Sequence, residues 1–261
     1  MNENEYKRIL DLASQIGCIM LENGAEIYRV EDTMKRIVSH FGITDEHFFV
    51  LSNGIFISQT DKEGKHLYAK VEHIPVRGAK LNRVIALNQL SRDICTSQIS
   101  IEDAEKKIEE IKKLPPNKWY METLATCIGA ASFALLLQGT LTDAFGAGCA
   151  GIILGLFNVF FVSKYLSKVI GNILGGALVT LVCMGFHFLT KSPTNMNAMV
   201  AGSVIPLVPG VAFLNGIRDI ANGDYLSGAV RLLDAILVFT CIAVGVGIPF
   251  VLFRSFGGVI L

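Results

Sequence analysis

From Trp119 onward the sequence consists of apolar stretches of about twenty residues, separated by short polar breaks. A helix that rises 1.5 Å per residue needs about twenty such residues to cross a hydrocarbon core of about 30 Å. We predict five spans, at about 119–138, 143–162, 169–189, 197–214 and 232–253. This pattern limits the second half of the chain to a polytopic bundle of membrane helices.

The distribution of charge divides the chain at the same place. Residues 1–118 carry 17 basic and 18 acidic side chains, whereas residues 119–261 carry 6 and 5, and 19 of the 25 glycines follow Trp119. Glycine is frequent and charge is rare in membrane helices. We therefore predict a domain over 1–118 and a transmembrane domain over 119–261. A neutral chain without a basic block also lacks the electrostatic footprint of a nucleic-acid binder.

Basic residues beside the spans predict their orientation, because lysine and arginine favour the cytoplasmic side. Five lysines precede the first span, and the next loop has none. The N-terminus, which has no signal-peptide pattern, is therefore expected in the cytoplasm, and an odd number of spans places the C-terminus outside.

The fourth span has an unusual centre. Pro206, Pro209 and Gly210 interrupt it, and each proline removes a backbone donor and clashes with the preceding turn. A broken helix exposes backbone groups that can line a transport path, although a simple kink without a ligand fits the same pattern.

Charged residues follow this break. Asp219, Asp224, Arg231 and Asp234 are expected at the cytoplasmic side of spans four and five, and ionisable groups there are candidates for handling substrate or protons. Arg231 and Asp234 are three residues apart and share a helix face, which allows an ion pair.

Residues 1–118 predict an α+β domain. Apolar spacing indicates two helices over 4–41 joined by a turn at NGAE, and two more at 80–96 and 101–114, the last opened by Ser100 with Asp103. Residues 47–73 have strand composition, with a turn at DKEGK.

No sequence motif in this domain indicates catalysis. It has no HExxH, GxSxG, Walker or GxGxxG motif, and its histidines and cysteines are scattered, so we predict no catalytic centre, metal or cofactor. The dense charge over residues 22–32 predicts a solvated helix face with ion pairs, or alternatively a docking or gating surface.

Two segments resemble the signatures of a known family. NGAEIYRVEDTMKRIVSHFG (23–42) and IPLVPGVAFLNGIRDIANGDYLSGAVRLLDA (205–235) are similar to the N-terminal and membrane signatures of the threonine/serine exporter family. The chain is similar to the split form, in which a YjjP-like subunit works with a small membrane subunit resembling YjjB. The split form is associated with succinate and the fused form with threonine and serine.

The resemblance implies a set of functional residues. In the membrane signature these form a candidate substrate pathway: Pro206, Pro209, Gly210, Asn215, Arg218, Asp219, Asp224, Gly228, Arg231 and Asp234. In the N-terminal signature they are Gly24, Glu26, Arg29, Glu31 and Thr33. We hypothesise that Arg218 or Arg231 holds a substrate carboxylate, and that Asp219 or Asp234 takes a proton or binds an amino group.

The leading hypothesis is a proton-driven exporter of threonine and serine or of succinate. It would act in the cytoplasmic membrane with a small membrane subunit or as a homo-oligomer. The alternatives are a membrane-anchored hydrolase and an accessory subunit that does not itself transport.

Overall fold

The computed structural model describes residues 3–43, 46–60, 66–75, 80–96, 99–115, 118–162, 165–190 and 193–255. The chain forms two compact units, one of residues 1–115 with 211–233 and one of residues 116–210 with 234–261. Segment 211–233, which the sequence places in the transmembrane domain, therefore groups with the N-terminal residues. Such units do not report membrane topology, so the boundary after residue 118 remains a prediction.

Four helices build the core of the first unit. They are α1 (Glu3–Glu22), α2 (Ile27–His40), α3 (Leu81–Cys95) and α4 (Ile101–Lys112), which confirms the helices predicted from apolar spacing. The buried faces of α1 and α2 include Ile16, Met20 and Met34, each fully buried. The Ser100 hydroxyl accepts the Asp103 backbone N–H at 3.2 Å, which confirms the predicted cap of α4.

A three-stranded antiparallel sheet completes this unit, in the order β1 (Glu46–Leu51), β2 (Gly54–Thr60) and β3 (His66–His73). Alternation of side chains turns Val50, Ile55 and Ile57 into the core. The other face leaves Phe49 and Phe56 exposed as register partners. The predicted DKEGK turn lies outside the described residues.

The remaining helices carry the apolar stretches. They are α5 (Trp119–Leu136), α6 (Leu141–Phe157, continued by a π-helix over Asn158–Val162), α7 (Lys168–Leu189), α8 (Met196–Val204, continued by a 3-10 turn over Ile205–Leu207), α9 (Gly210–Ala221) and α10 (Tyr225–Ser255). Of the helices described, α5, α6, α7 and α10 are each long and apolar enough to cross a membrane, and α8 with α9 forms a bent pair that makes five if it is one span. The chain is thus a polytopic helical membrane protein with a small N-terminal sheet.

Two boundaries differ from the sequence prediction. The helix of the fifth span starts at Tyr225 rather than near 232, and helical structure after the proline break runs to Ala221 rather than 214. A helix can continue into charged sequence when its charged side chains have partners. Hydropathy therefore locates the apolar part of a helix but does not locate its ends. The additional turns contain most of the charged candidates.

Candidate functional site

The turn between α1 and α2 presents two backbone carbonyls. Gly24 has φ of +86°, a left-handed conformation that glycine adopts without steric cost. The turn is closed by the Ala25 N–H, which donates to the Met20 carbonyl at 3.0 Å. Because this hydrogen bond uses the carbonyl of Met20, the carbonyls of Gly24 and Ala25 are available to other partners.

Helix α9 and the first turns of α10 form a tight hairpin in the same compact unit. Gly223, with φ of +93°, makes the turn, and the Asp224 N–H donates to the Asp219 carbonyl at 2.8 Å. A Cβ at Gly228 would lie 2.7 Å from the Gly216 carbonyl oxygen, closer than real Cβ contacts. Gly228 is therefore where the two helix backbones meet.

Both helices of the hairpin donate a hydrogen bond to a carbonyl of the turn between α1 and α2. From α9, the Asn215 amide donates to the Gly24 carbonyl at 3.1 Å. From α10, the Arg231 guanidinium donates to the Ala25 carbonyl at 3.1 Å. The two signature segments, nearly two hundred residues apart in sequence, are thus joined by directed hydrogen bonds.

Five charged side chains surround these contacts, and we call Glu26, Arg29, Arg218, Asp219 and Arg231 the charged cluster. Arg218 Nη1 pairs with Glu26 Oε1, and Arg29 Nε lies 3.2 Å from Glu26 Oε2. Arg231 Nη1 lies 3.3 Å from Asp219 Oδ2. Asp219, Arg231 and Glu26 expose only 1%, 11% and 11% of their side chains, whereas Arg29 and Arg218 expose more than half.

The buried part of the cluster is incompletely hydrogen-bonded. Among the described residues, Glu26 Oε2, Asp219 Oδ2 and Arg231 Nη1 are buried without a hydrogen bond of good geometry, although each lies at ion-pair distance from an opposite charge. Native proteins satisfy most buried polar atoms, and leaving one unsatisfied costs about 1–3 kcal/mol. The two carboxylate oxygens can therefore accept a proton or a hydrogen bond, and Arg231 Nη1 can donate one to a water or a polar ligand.

An open pocket of 460 Å³ adjoins the cluster, lined by Glu26, Tyr28, Arg29, Arg218, Ala221 and Asn222. Arg29 Nε donates to the Tyr28 hydroxyl at 3.2 Å, and this hydrogen bond, followed by the charge of Glu26, raises the pKa of Arg29. Two arginines against one glutamate give the lining a net positive charge, which favours an anion.

The predicted site residues are only partly brought together. Gly24, Glu26, Arg29, Asn215, Arg218, Asp219, Gly228 and Arg231 meet in this region. The break occurs where predicted, with Pro206 in the 3-10 turn, Pro209 between helices and Gly210 opening α9. Glu31 forms an i,i+4 pair with Lys35 on α2, and Thr33 is buried. The pKa of Asp224 is raised, mainly by burial and in addition by the nearby charge of Glu31.

The pairing suggested for Arg231 and Asp234 is wrong. Arg231 pairs with Asp219, and Asp234 pairs with Lys168 at 2.6 Å. Arg231 has two partners in one direction, an ion pair with the Asp219 carboxylate and a hydrogen bond to the Ala25 carbonyl, so its side chain turns away from the next helical turn. The predicted solvated face of α2 is confirmed for Glu31 and Asp32 but not for Glu26, which is buried.

Sequence reasoning missed two contacts. The buried Ser227 hydroxyl accepts the Ser52 backbone N–H at 3.1 Å and ties α10 to the turn between β1 and β2. In the second unit, Asp143 is fully buried and accepts the backbone N–H groups of Thr140 at 2.7 Å and Asn195 at 2.8 Å. Thr140 and Asp143 form a capping box, a spacing readable from sequence, whereas the long-range contact with Asn195 has no local signal.

Within the described ranges, no three His, Cys, Asp or Glu side chains come together in a group that could hold a metal ion.

Comparison with known proteins places this geometry in context. A family model described as "Putative threonine/serine exporter" matches residues 11–253. A "Probable threonine/serine exporter" of Mycobacterium tuberculosis is 26% identical over 92% of this chain and 45% of its own length. The "Threonine/serine exporter" of Corynebacterium glutamicum is 20% identical over 95% of this chain and 52% of its own.

A shorter relative matches over nearly all of its length. The "Probable succinate transporter subunit YjjP" of Escherichia coli is 23% identical over 94% of this chain and 95% of its own length. The chain thus spans about half the length of the two exporters and nearly all of the subunit. No solved structure matches it. Because the family model covers almost all of the chain, this protein belongs to the threonine/serine exporter family.

Proposed function

We propose that this chain is one subunit of a proton-driven secondary transporter that exports small carboxylates, either threonine and serine or succinate, across the cytoplasmic membrane. The single observation that carries the proposal is the charged cluster, in which two buried carboxylates and a buried arginine are held with incomplete hydrogen bonding. Keeping such charges away from water is costly, so their retention favours a role in moving a proton or an anion.

The second subunit is proposed from the YjjP relative, which is named as a transporter subunit and matches 94% of this chain and 95% of its own length. A separate membrane protein of the YjjB kind would supply the part that longer relatives carry in one chain. A homo-oligomer is the other arrangement that supplies more membrane helices.

In the proposed mechanism, Arg218 recognises the carboxylate of the cargo. Its guanidinium is more than half exposed at the pocket and matches a carboxylate in planar geometry. We propose that the helix break at Pro206 and Pro209 exposes backbone groups that line part of a transport path. We propose that Asp219 carries the coupling proton, because protonation removes its charge and weakens its ion pair with Arg231.

Arg231 would keep its hydrogen bond to the Ala25 carbonyl after Asp219 takes up the proton. Proton uptake would therefore weaken the contact between Arg231 and Asp219 and leave the contact between Arg231 and the turn in place. Asp234, bound to Lys168, becomes the weaker candidate for the proton. For the orientation, we propose that residues 1–118 lie in the cytoplasm, on the side where the charged cluster would meet its cargo, and that the C-terminus lies outside.

The test is solute efflux from vesicles reconstituted with this chain, with and without a YjjB-like partner and with an imposed proton gradient. We expect efflux of loaded serine or succinate only with both chains present, and at least a tenfold loss in Arg218→Gln. Arg36→Gln is the matched control, because Arg36 is an equally exposed arginine paired with Asp32 on α2.

Three outcomes would refute the proposal. Efflux by the partner alone would identify this chain as an accessory subunit. Catalysis by the purified chain with no efflux would support a membrane-anchored hydrolase. Equal efflux from the Arg218 variant and the control would remove the role assigned to Arg218.

A further inference from the structure

The pocket beside the charged cluster has an internal occupant. Glu26 contributes a carboxylate that lies between the two exposed arginines, Arg218 on α9 and Arg29 on α2. The arginines are accessible from the pocket and the carboxylate is nearly buried. A bound anion would lie between the two arginines in the same way, and here the carboxylate of Glu26 takes that position.

We propose that the pocket is a binding site for a small carboxylate and that Glu26 occupies it until the ligand displaces it. The inference relies on the proposed function for the class of ligand alone. The site, its charge and its occupant follow from the contacts of this unit.

The two arginines do not use their full hydrogen-bonding capacity on Glu26. Among the described residues, Arg218 reaches Glu26 through one nitrogen and one oxygen, although a guanidinium can offer two parallel N–H groups to a carboxylate. Arg29 Nε is shared, because it donates to the Tyr28 hydroxyl while lying 3.2 Å from Glu26 Oε2. A free ligand can take both donors of Arg218 in the bidentate geometry that Glu26 does not use.

The displaced carboxylate would keep a favourable environment. Glu26 is the N-cap residue of α2, and its side chain makes no capping hydrogen bond. The N-terminus of a helix is positively polarised and stabilises a nearby negative charge. Release from Arg218 therefore leaves Glu26 beside the first turn of α2, which lowers the cost of the exchange.

The remaining lining groups suit a cargo with a second polar end. The Asn222 side chain can donate or accept a hydrogen bond, and the Tyr28 ring supplies an apolar wall. A second carboxylate and an amino group are both compatible with this lining, so succinate and serine are the two probes to compare.

The test is the affinity of the purified full-length chain in detergent for succinate and for serine, measured by isothermal titration calorimetry, with 1,4-butanediol as the uncharged control. We expect Glu26→Gln to bind the preferred carboxylate about tenfold more tightly than the natural sequence, because the internal competitor is gone. Arg218→Gln should show no measurable binding. The matched control Asp32→Asn removes an exposed, paired carboxylate from α2 and should leave the affinity within twofold.

Opposite effects from the two partners of one ion pair distinguish this site from a structural salt bridge, for which both substitutions would weaken binding or leave it unchanged. Weaker or unchanged binding by Glu26→Gln would therefore overturn the proposal. If that variant does not fold, Glu26→Asp keeps the charge and shortens the side chain, and binding must still tighten severalfold.

The two proposals fail separately. Tighter binding by the Glu26 variant without efflux from vesicles would refute the export role and leave the carboxylate site. Efflux that depends on Arg218, without tighter binding by either Glu26 variant, would refute the internal competitor and leave the exporter.

Discussion

Substituting Gly228 by alanine should separate α9 from α10 at their closest approach. The added Cβ would lie 2.7 Å from the Gly216 carbonyl oxygen and 2.9 Å from the Ile220 backbone nitrogen. Both are backbone atoms, so no side-chain rotation can relieve the overlap. Reaching an ordinary contact of 3.4 Å requires the helices to move apart by about 0.7 Å.

That displacement has a calculable cost. Overpacking costs about 1–3 kcal/mol. The hydrogen bonds from Asn215 to Gly24 and from Arg231 to Ala25, each 3.1 Å long, come from opposite helices, so the hairpin cannot open without stretching one of them, at about 1 kcal/mol. The better helix propensity of alanine returns about 1 kcal/mol. We expect a net loss of about 2 kcal/mol.

Gly247→Ala is the matched control in the same helix. A Cβ at Gly247 meets nothing within 4 Å, so only the propensity gain applies and the variant should be slightly stabilised. Thermal unfolding of the full chain in detergent, followed by circular dichroism, should separate the two variants by about 5–10 °C. Adding Ile220→Ala to the Gly228 variant should not restore stability, because the backbone overlap remains. Equal melting temperatures for the two alanine variants would refute the proposed backbone contact.

Three further predictions concern charge and ionisation. Arg231→Met should cost about 3 kcal/mol because it leaves the Asp219 carboxylate buried and unpaired, and adding Asp219→Leu should recover at least half of this in thermal unfolding. Burial, followed by nearby Glu72, raises the pKa of Cys18 to about 11, so its alkylation by iodoacetamide, followed by mass spectrometry, should be very slow at pH 7.5 and rise about tenfold per pH unit up to about pH 10. The raised pKa of Asp224 means that its folded form holds a proton more tightly, so stability falls as pH rises from about 4 through that pKa. Asp224→Asn should therefore be more stable than the natural sequence at pH 7 and equal to it at pH 3, whereas an equal difference at both would rule this out.

Local patterns predicted the elements of this fold well. Apolar spacing located the helices, Pro206 and Pro209 located the break, and Ser100 with Asp103 located a cap. Each of these depends on residues within one or two turns of each other, where steric exclusion and periodicity act directly on the chain.

Contacts at long range were not predictable in the same way. Glu26 belongs to a segment whose charge predicts a solvated face, yet it is buried and pairs with Arg218, which lies 192 residues later. Arg231 had a local candidate, Asp234, and a distant one, Asp219, and spacing alone favours the local one. A charge signature identifies residues that need partners, and only the fold determines which partners they have.

Asp143 and Asp219 are two buried aspartates that we expect to respond differently to replacement. Asp143 accepts three hydrogen bonds, from the Thr140 amide and hydroxyl and from the Asn195 amide, and so fixes the starts of both α6 and α8. Its two carboxylate oxygens accept from different residues, Oδ2 from Thr140 and Oδ1 from Asn195, so even asparagine, whose NH2 group only donates, should lose one of these bonds and destabilise a helix start. At Asp219 only a residue that can gain and lose a proton, such as glutamate, should preserve transport. A complete substitution series at the two positions would separate a carboxylate retained for its shape from one retained for its charge.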